Sequence, residues 1–237
     1  MTNRVAGVQQ QTMSYYHSEI KHYVAVDCVI FGFQQGSLNL LLLKRKMEPA
    51  QGQWSLMGGF VREGESVDDA AKRVLAELTG LENVYMEQVH TFGAINRDPG
   101  ERVISVVYYA LINIDEYDRE LVHEHNAYWV NIDEVPPLIF DHEEMVAQAR
   151  EKMKQKAARE PIGFNLLPKL FTLTRLQSLY EAIYGETIDK RNFRKRVAEM
   201  DCIEKTDKID KESSKRGASL YQFNANVYNR TNTKFKL

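Results

Sequence analysis

The feature that most constrains this chain is a run with no amphipathic rhythm. Leu38 to Leu43 reads LNLLLL and then turns abruptly basic at Lys44, Arg45 and Lys46. A strand with one wet face would alternate, whereas a run apolar at nearly every position describes a strand buried on both faces. Upstream, HYVAVDCVIFGF from His22 is a second β-rich run, split from the first by the turn Gln34-Gln35-Gly36-Ser37. Further strands are expected at 84–95, 102–114 and 129–138. The longest near-apolar stretch, Val103 to Ile112, is about half of the twenty residues a membrane span needs, so no membrane association is expected.

Between these strands lies WSLMGGFVREGES, where Gly58 and Gly59 permit unusual backbone angles or close approach. A helix follows, with Ser66 as its N-cap, Asp68 and Asp69 in its first turn and Gly80 just past its end. One α+β domain thus fills roughly residues 15–140. Asp141 is placed to cap a helix over HEEMVAQAREKMKQKAARE, acidic first and basic last as the helix dipole favours, and Pro161 stops it. Beyond it, helical segments are expected at 163–171, 174–184 and 190–200. The tail from Cys202 alternates around a polar tip like a β-hairpin. Helices followed by a hairpin is the order of a winged helix-turn-helix. The expected division is a first domain at 1–140, a linker helix at 141–160 and a winged helix at 161–237.

Charge divides the chain at the same place. The net charge is −2 over 237 residues, yet residues 1–150 carry 12 Lys and Arg against 22 Asp and Glu, while residues 151–237 carry 19 against 11. An acidic module joined to a basic one points to an anionic partner for the second. Cys28 and Cys202 are far apart, in neither a disulfide nor a zinc spacing, and MTNRVAGVQQQTMSYY lacks the apolar core of a signal peptide. A cytoplasmic location is expected.

The segment Gly59–Leu81, GFVREGESVDDAAKRVLAELTGL, resembles the Nudix box, with Gly59, Glu65, Arg73, Leu75, Glu77, Gly80 and Leu81 matching without a gap. The resemblance implies an α/β/α sandwich. It also implies that hydrolases of the family carry glutamates at the positions of Val74, Glu77 and Leu78, on one helical face that holds Mg²⁺ over a substrate diphosphate. Here Glu77 alone remains. Val67, Ala70, Ala71, Val74 and Leu78 form a continuous apolar arc, so the metal face reads as a packing face. The expectation is a ligand pocket without turnover: no catalytic residues, no metal and no cofactor. Glu65 and Arg73 are equally consistent with a structural ion pair and with ligand contact.

At the basic end, DKRNFRKR (189–196) places five cations among eight residues. Asp189 is a good N-cap, and Phe193, Val197 and Met200 are apolar anchors at i, i+4 and i+7. Lys190, Arg191, Asn192, Arg194, Lys195 and Arg196 are left facing outward. Arg reads guanine and Asn adenine in the major groove, and the remaining cations neutralise phosphates. Thr174 on the preceding helix, and Lys215 and Arg216 at the hairpin tip, complete the expected DNA-contact set. A solvated charged helix is the bland alternative.

The stretch FTLTRLQSLYEAIYGETIDKRNFRKRV further resembles the C-terminal domain of Nudix-related transcriptional regulators, and the likeness extends over about residues 20–230. That resemblance implies a homodimer that binds palindromic double-stranded operator DNA and responds to a small-molecule effector. Members sense ADP-ribose or pentoses, and the look of this chain is nearest the L-arabinose-responsive regulators of Bacteroidetes. A repressor of a sugar-utilisation operon is therefore expected. The alternatives are an ADP-ribose-sensing regulator of NAD metabolism, an active Nudix hydrolase with a nucleic-acid-binding appendage, and an adaptor whose basic tail binds an acidic protein. Asp27, Lys44, Arg45, Arg62, Glu65, Arg73 and Glu77 are the expected effector contacts. The six histidines show no metal spacing.

Overall fold

The computed structural model describes residues 18–114, 123–211 and 217–231, together with 235. A seven-stranded sheet is its centre. The path runs β3 (Trp54–Ser55), β2 (Ser37–Lys44), β1 (Tyr23–Gln34), β6 (Val103–Ile112) and β5 (Tyr85–Phe92). Off this path, β4 (Met57–Phe60) pairs with β1 and β7 (Ala127–Asn131) with β2. Strands β1 and β6 run parallel; the other pairings are antiparallel.

The rhythmless runs are the strands covered on both faces. Along β6, Val106, Tyr108, Ala110 and Ile112 face helix α1 (Val67–Thr79), and Val107, Tyr109 and Leu111 face helix α2 (His142–Ala157). In β1, Val26, Cys28 and Ile30 join the α1 side while Val29, Phe31 and Phe33 join the α2 side. Period-two side-chain alternation therefore divides one apolar run between two cores. The helix expected as a linker is the second helical layer of this sandwich, burying Met145, Val146, Ala149, Met153 and Ala157.

The C-terminal module is a winged helix. A 3₁₀ turn at Ile162–Leu166 leads into β8 (Phe171–Thr172), α3 (Leu173–Tyr184), α4 (Lys190–Ala198), β9 (Ile203–Asp210), β10 (Ala218–Phe223) and α5 (Ala225–Thr231), with sheet order β8-β10-β9. Its core is continuous with the sandwich. Leu176, Leu179, Tyr180, Ile183 and Phe193 belong to the same buried cluster as Phe31, Leu40 and Met153. Among the described residues no helix is long and apolar enough to cross a membrane.

Three local expectations are corrected. The helix at 163–171 is a short 3₁₀ turn and then a strand, because Leu167 precedes Pro168 and is held extended (φ −111°, ψ 152°). The strand at 129–138 stops at Asn131, whose side chain accepts from the Asp133 amide at 3.0 Å and starts a 3₁₀ turn ahead of Pro136 and Pro137. Asp141 sits at the N-cap position of α2 but makes no side-chain cap bond, because Arg97 holds its carboxylate through two 2.8 Å hydrogen bonds.

Candidate functional site

The box helix begins and ends where its residues dictate. Ser66 Oγ accepts from the Asp69 amide at 3.1 Å, and Gly80 closes the helix at φ 69°, the left-handed region. Two of the three positions that would carry metal-binding glutamates are buried against the sheet. Val74 is 3% exposed and Leu78 8%, packed with Ala70, Ala71, Val26, Cys28 and Met57. A Cβ on Gly59 would lie 3.0 Å from Val74 Cγ2, so strand β4 and helix α1 meet without room for a longer side chain. Among the described residues no three metal-ligating side chains gather.

The remaining charged box residues hold one another. Arg73 grips Glu65 with Nη2 at 2.7 Å and Nε at 2.9 Å, and its Nη2 also donates to the Phe60 carbonyl at 3.1 Å. The Arg62 amide adds a 2.7 Å bond to Glu65. These donors favour the ionised carboxylate and pull Glu65 down to about 2, the Arg73 hydrogen bond being the largest cause. Glu77 takes looser contacts at 3.4 Å from both Arg62 and Arg73. Arg62 and Glu77 remain open to solvent, while Arg73 and Glu65 are mostly covered. The ion-pair role of Glu65 and Arg73 is thus the one the geometry displays, and Arg62 and Glu77 are the box charges a ligand can reach.

Asp27 is a correction. Expected at the effector, it is 8% exposed, accepts from Ser105 Oγ at 2.6 Å and lies behind β4, where a Cβ on Gly58 would collide with its Oδ1. It lies within the run Val26–Phe33 of β1, which is buried on both faces. Lys44 and Arg45, at the basic end of β2, lie on aromatic rings, with Lys44 Nζ 5.1 Å from the Trp54 ring centre and the Arg45 guanidinium 5.8 Å from that of Phe140. Lys44 and Arg45 thus present a cationic and aromatic surface of their own, apart from the ion pairs of the box.

Sequence reasoning missed a set of buried polar residues beneath this end of the sheet, Arg97, His142 and Ser105, which gather with the half-buried Asp141. Arg97 comes from the β5–β6 loop, INRDPGER, where nothing in the local pattern marks an arginine for burial. His142 is 4% exposed, and its Nδ1 accepts from the Leu56 amide at 3.1 Å. Burial pushes it below the ordinary histidine value, so it is neutral at pH 7.

The reading head follows the sequence closely. In α4, Asp189 Oδ1 accepts from the Asn192 amide at 2.8 Å, and Phe193 and Val197 are buried. Lys190, Arg191, Asn192, Arg194, Lys195 and Arg196 are all exposed, as is Thr174 near the start of α3. The turn between the helices is braced. Gly185 adopts φ 72°, and Glu181 accepts from the Ile188 amide at 2.9 Å and from Gln177 Nε2 at 3.0 Å. Lys215 and Arg216 lie outside the described residues. An open groove of about 1070 Å³ runs along the flank of this head, lined by Thr174, Arg175, Arg194 and Tyr221 and by the β1–β2 turn.

This architecture agrees with known proteins over almost its full length. The NUDIX domain model matches residues 21–151, and the NrtR DNA-binding winged helix domain matches residues 163–223. The chain is 37% identical over 204 residues to an ADPR responsive transcriptional repressor of Acinetobacter baylyi, a match covering 84% of this chain and 81% of that one. Its structure resembles that of Shewanella oneidensis NrtR complexed with a 27mer DNA, with a TM-score of 0.78, 32% identity, and coverage of 87% of this chain and 95% of that one. A shorter match, 31% over 142 residues, is to an ADP-ribose pyrophosphatase of Methanocaldococcus jannaschii and covers 59% of this chain and 79% of that one. The chain belongs to the NrtR family of regulators, in which a Nudix domain is followed by a DNA-binding winged helix.

Proposed function

We propose that this protein is a transcriptional repressor whose winged helix binds double-stranded operator DNA and whose Nudix domain senses ADP-ribose without hydrolysing it. The observation that carries the reading is the pairing of a basic, exposed face of α4 with a box helix on which two of the three metal positions, Val74 and Leu78, are packed into the core. The first supplies phosphate and base contacts; the second removes two of the three charges that would hold a catalytic cation. The expected L-arabinose effector gives way to ADP-ribose. The Acinetobacter relative is an ADPR responsive repressor and the Methanocaldococcus relative an ADP-ribose pyrophosphatase. Arg62 and the cationic surface of Lys44 and Arg45 suit an anionic diphosphate.

A homodimer completes the proposal, since two α4 helices related by a two-fold axis read a palindrome. Ile20, Tyr23, Val24 and Phe60 form an exposed apolar group at the β1–β4 edge, with Tyr23 and Phe60 in ring contact at 5.5 Å, and a second copy is the partner proposed for it. The test is a gel-shift titration with palindromic duplexes in the presence and absence of ADP-ribose. Sequence-specific binding that ADP-ribose weakens is the expected result; equal binding to scrambled duplex overturns the reading. Mg²⁺-dependent release of AMP, abolished by Glu77→Gln, would instead make it a hydrolase.

A further inference from the structure

Among the described residues, the buried polar set includes three ionisable acid-base side chains, Asp27, Arg97 and His142, and all three meet at one point. Arg97 Nη2 lies 3.8 Å from Asp27 Oδ2, and its Nε and Nη2 each lie 2.8 Å from the Asp141 carboxylate. His142 Nε2 stands 3.9 Å from Asp27 Oδ1. Each member belongs to a different part of the machine. Asp27 pairs in register with Gly58 of the box strand β4. Arg97 is carried by the β5–β6 loop, whose neighbours Ala94, Ile95 and Asn96 are exposed. Asp141 and His142 begin α2.

Helix α2 runs from there to the reading head. It has 16 residues, about 24 Å at 1.5 Å per residue. Beyond its midpoint, Arg150 Nη2 approaches Asp133 at 3.7 Å and stands 3.8 Å from where a Cβ on Gly185 would lie, at the turn between α3 and α4. Met153 and Ala157 share the core with Leu176 and Ile183 of α3. A displacement of the first turn of α2 is therefore felt at the seat of the recognition helix.

We propose that the Asp27–Arg97–Asp141 chain is the relay by which effector occupancy reaches the DNA-binding head, an inference that rests on the ADP-ribose reading above. Arg97 is a positioning residue with two mutually exclusive uses. Without effector it holds Asp141, which for that reason makes no cap bond to α2 although it occupies the cap position. An anionic diphosphate seated against the β5–β6 loop competes for the same guanidinium once that loop yields it, since the side chain is 4% exposed as it stands. Release of Asp141 frees its carboxylate for the unpaired amides of the first turn, and the start of α2 shifts. Buried ion pairs are either made or broken, with a large penalty between the two, so the device has two states rather than a continuum.

The experiment uses the full chain. Operator affinity is measured by fluorescence anisotropy with and without ADP-ribose, and ADP-ribose affinity by calorimetry. In the wild type, ADP-ribose is expected to weaken operator binding by about 5- to 150-fold, the usual span of allosteric coupling. Asp141→Asn should keep operator affinity without ADP-ribose within about threefold and should not weaken ADP-ribose binding, while that ratio collapses towards one; Arg97→Lys, which keeps the charge but loses the fork, should retain part of it. A ratio unchanged in Asp141→Asn overturns the relay and leaves the functional reading standing, whereas a wild type indifferent to ADP-ribose overturns both. Hydrogen exchange on the wild type needs no variant. ADP-ribose should alter protection at residues 141–149 and 181–189, and unchanged protection at 141–149 overturns the relay.

Discussion

Replacing Val74 by glutamate gives the box helix the charge that the Nudix-box pattern implies at this position, and the structure says what that does. Val74 is 3% exposed and lies against Gly59 in a cluster with Ala70, Ala71, Leu78 and Met57. Removing the isopropyl group from that site forfeits about 1.5–3 kcal/mol of apolar burial. The new carboxylate adds a desolvation penalty of several kcal/mol unless it takes a proton. Together these approach half of a typical domain stability of about 5–15 kcal/mol. Urea unfolding of Val74→Glu should show a loss of about 4 kcal/mol or more at pH 8. The sign with pH follows from the protonated form being the one that fits. A carboxyl whose folded pKa is raised destabilises least below its unfolded value of about 4.3, and the deficit grows as pH rises above that. Unfolding at pH 5 should therefore narrow the gap to wild type. A variant as stable as the wild type at pH 8, with a melting temperature that Mg²⁺ raises and with AMP released from ADP-ribose, would refute the packing-face reasoning.

Other perturbations test neighbouring parts of the account. The Glu65 carboxylate, held near 2 by Arg73 and the Arg62 amide, is depressed on folding, so its contribution is present above about pH 4.5 and lost as pH falls towards 2; Glu65→Gln should flatten the acid limb of a stability profile over that window. Tyr180 is fully buried and its hydroxyl meets no partner among the described residues, so Tyr180→Phe should leave stability unchanged or raise it by up to about 1 kcal/mol in urea unfolding. Arg194→Ala, on the exposed face of α4, should weaken binding to a specific duplex by about 1–3 kcal/mol if the side chain reads a base, and weaken all duplexes alike if it meets only phosphate.

How far the sequence carried the structure depended on range. Ser66, Gly80 and Asp189 act within a turn of their own position, and their capping roles were legible from spacing alone. So was the doubly covered sheet, because period-two alternation turns an unbroken apolar run into two buried faces. The failures were non-local or set by a neighbour. Asp27 reads as an available carboxylate until β4 closes over it. Asp141 reads as a cap until an arginine 44 residues away takes its oxygens. Arg97 carries no local signal because its partners come from the start of β1 and the start of α2. The packing of α2 was not legible for a similar reason: its apolar stripe shows that it packs, but not against which surface.

The most direct measurement of the central claim is binding of the full chain to duplexes selected from a randomised library, followed by addition of ADP-ribose and recovery of the nucleotide. The account predicts a palindromic consensus, affinity for it well above that for scrambled duplex, release on ADP-ribose addition, and ADP-ribose recovered intact with Mg²⁺ present. No consensus, or AMP in place of ADP-ribose, would contradict it.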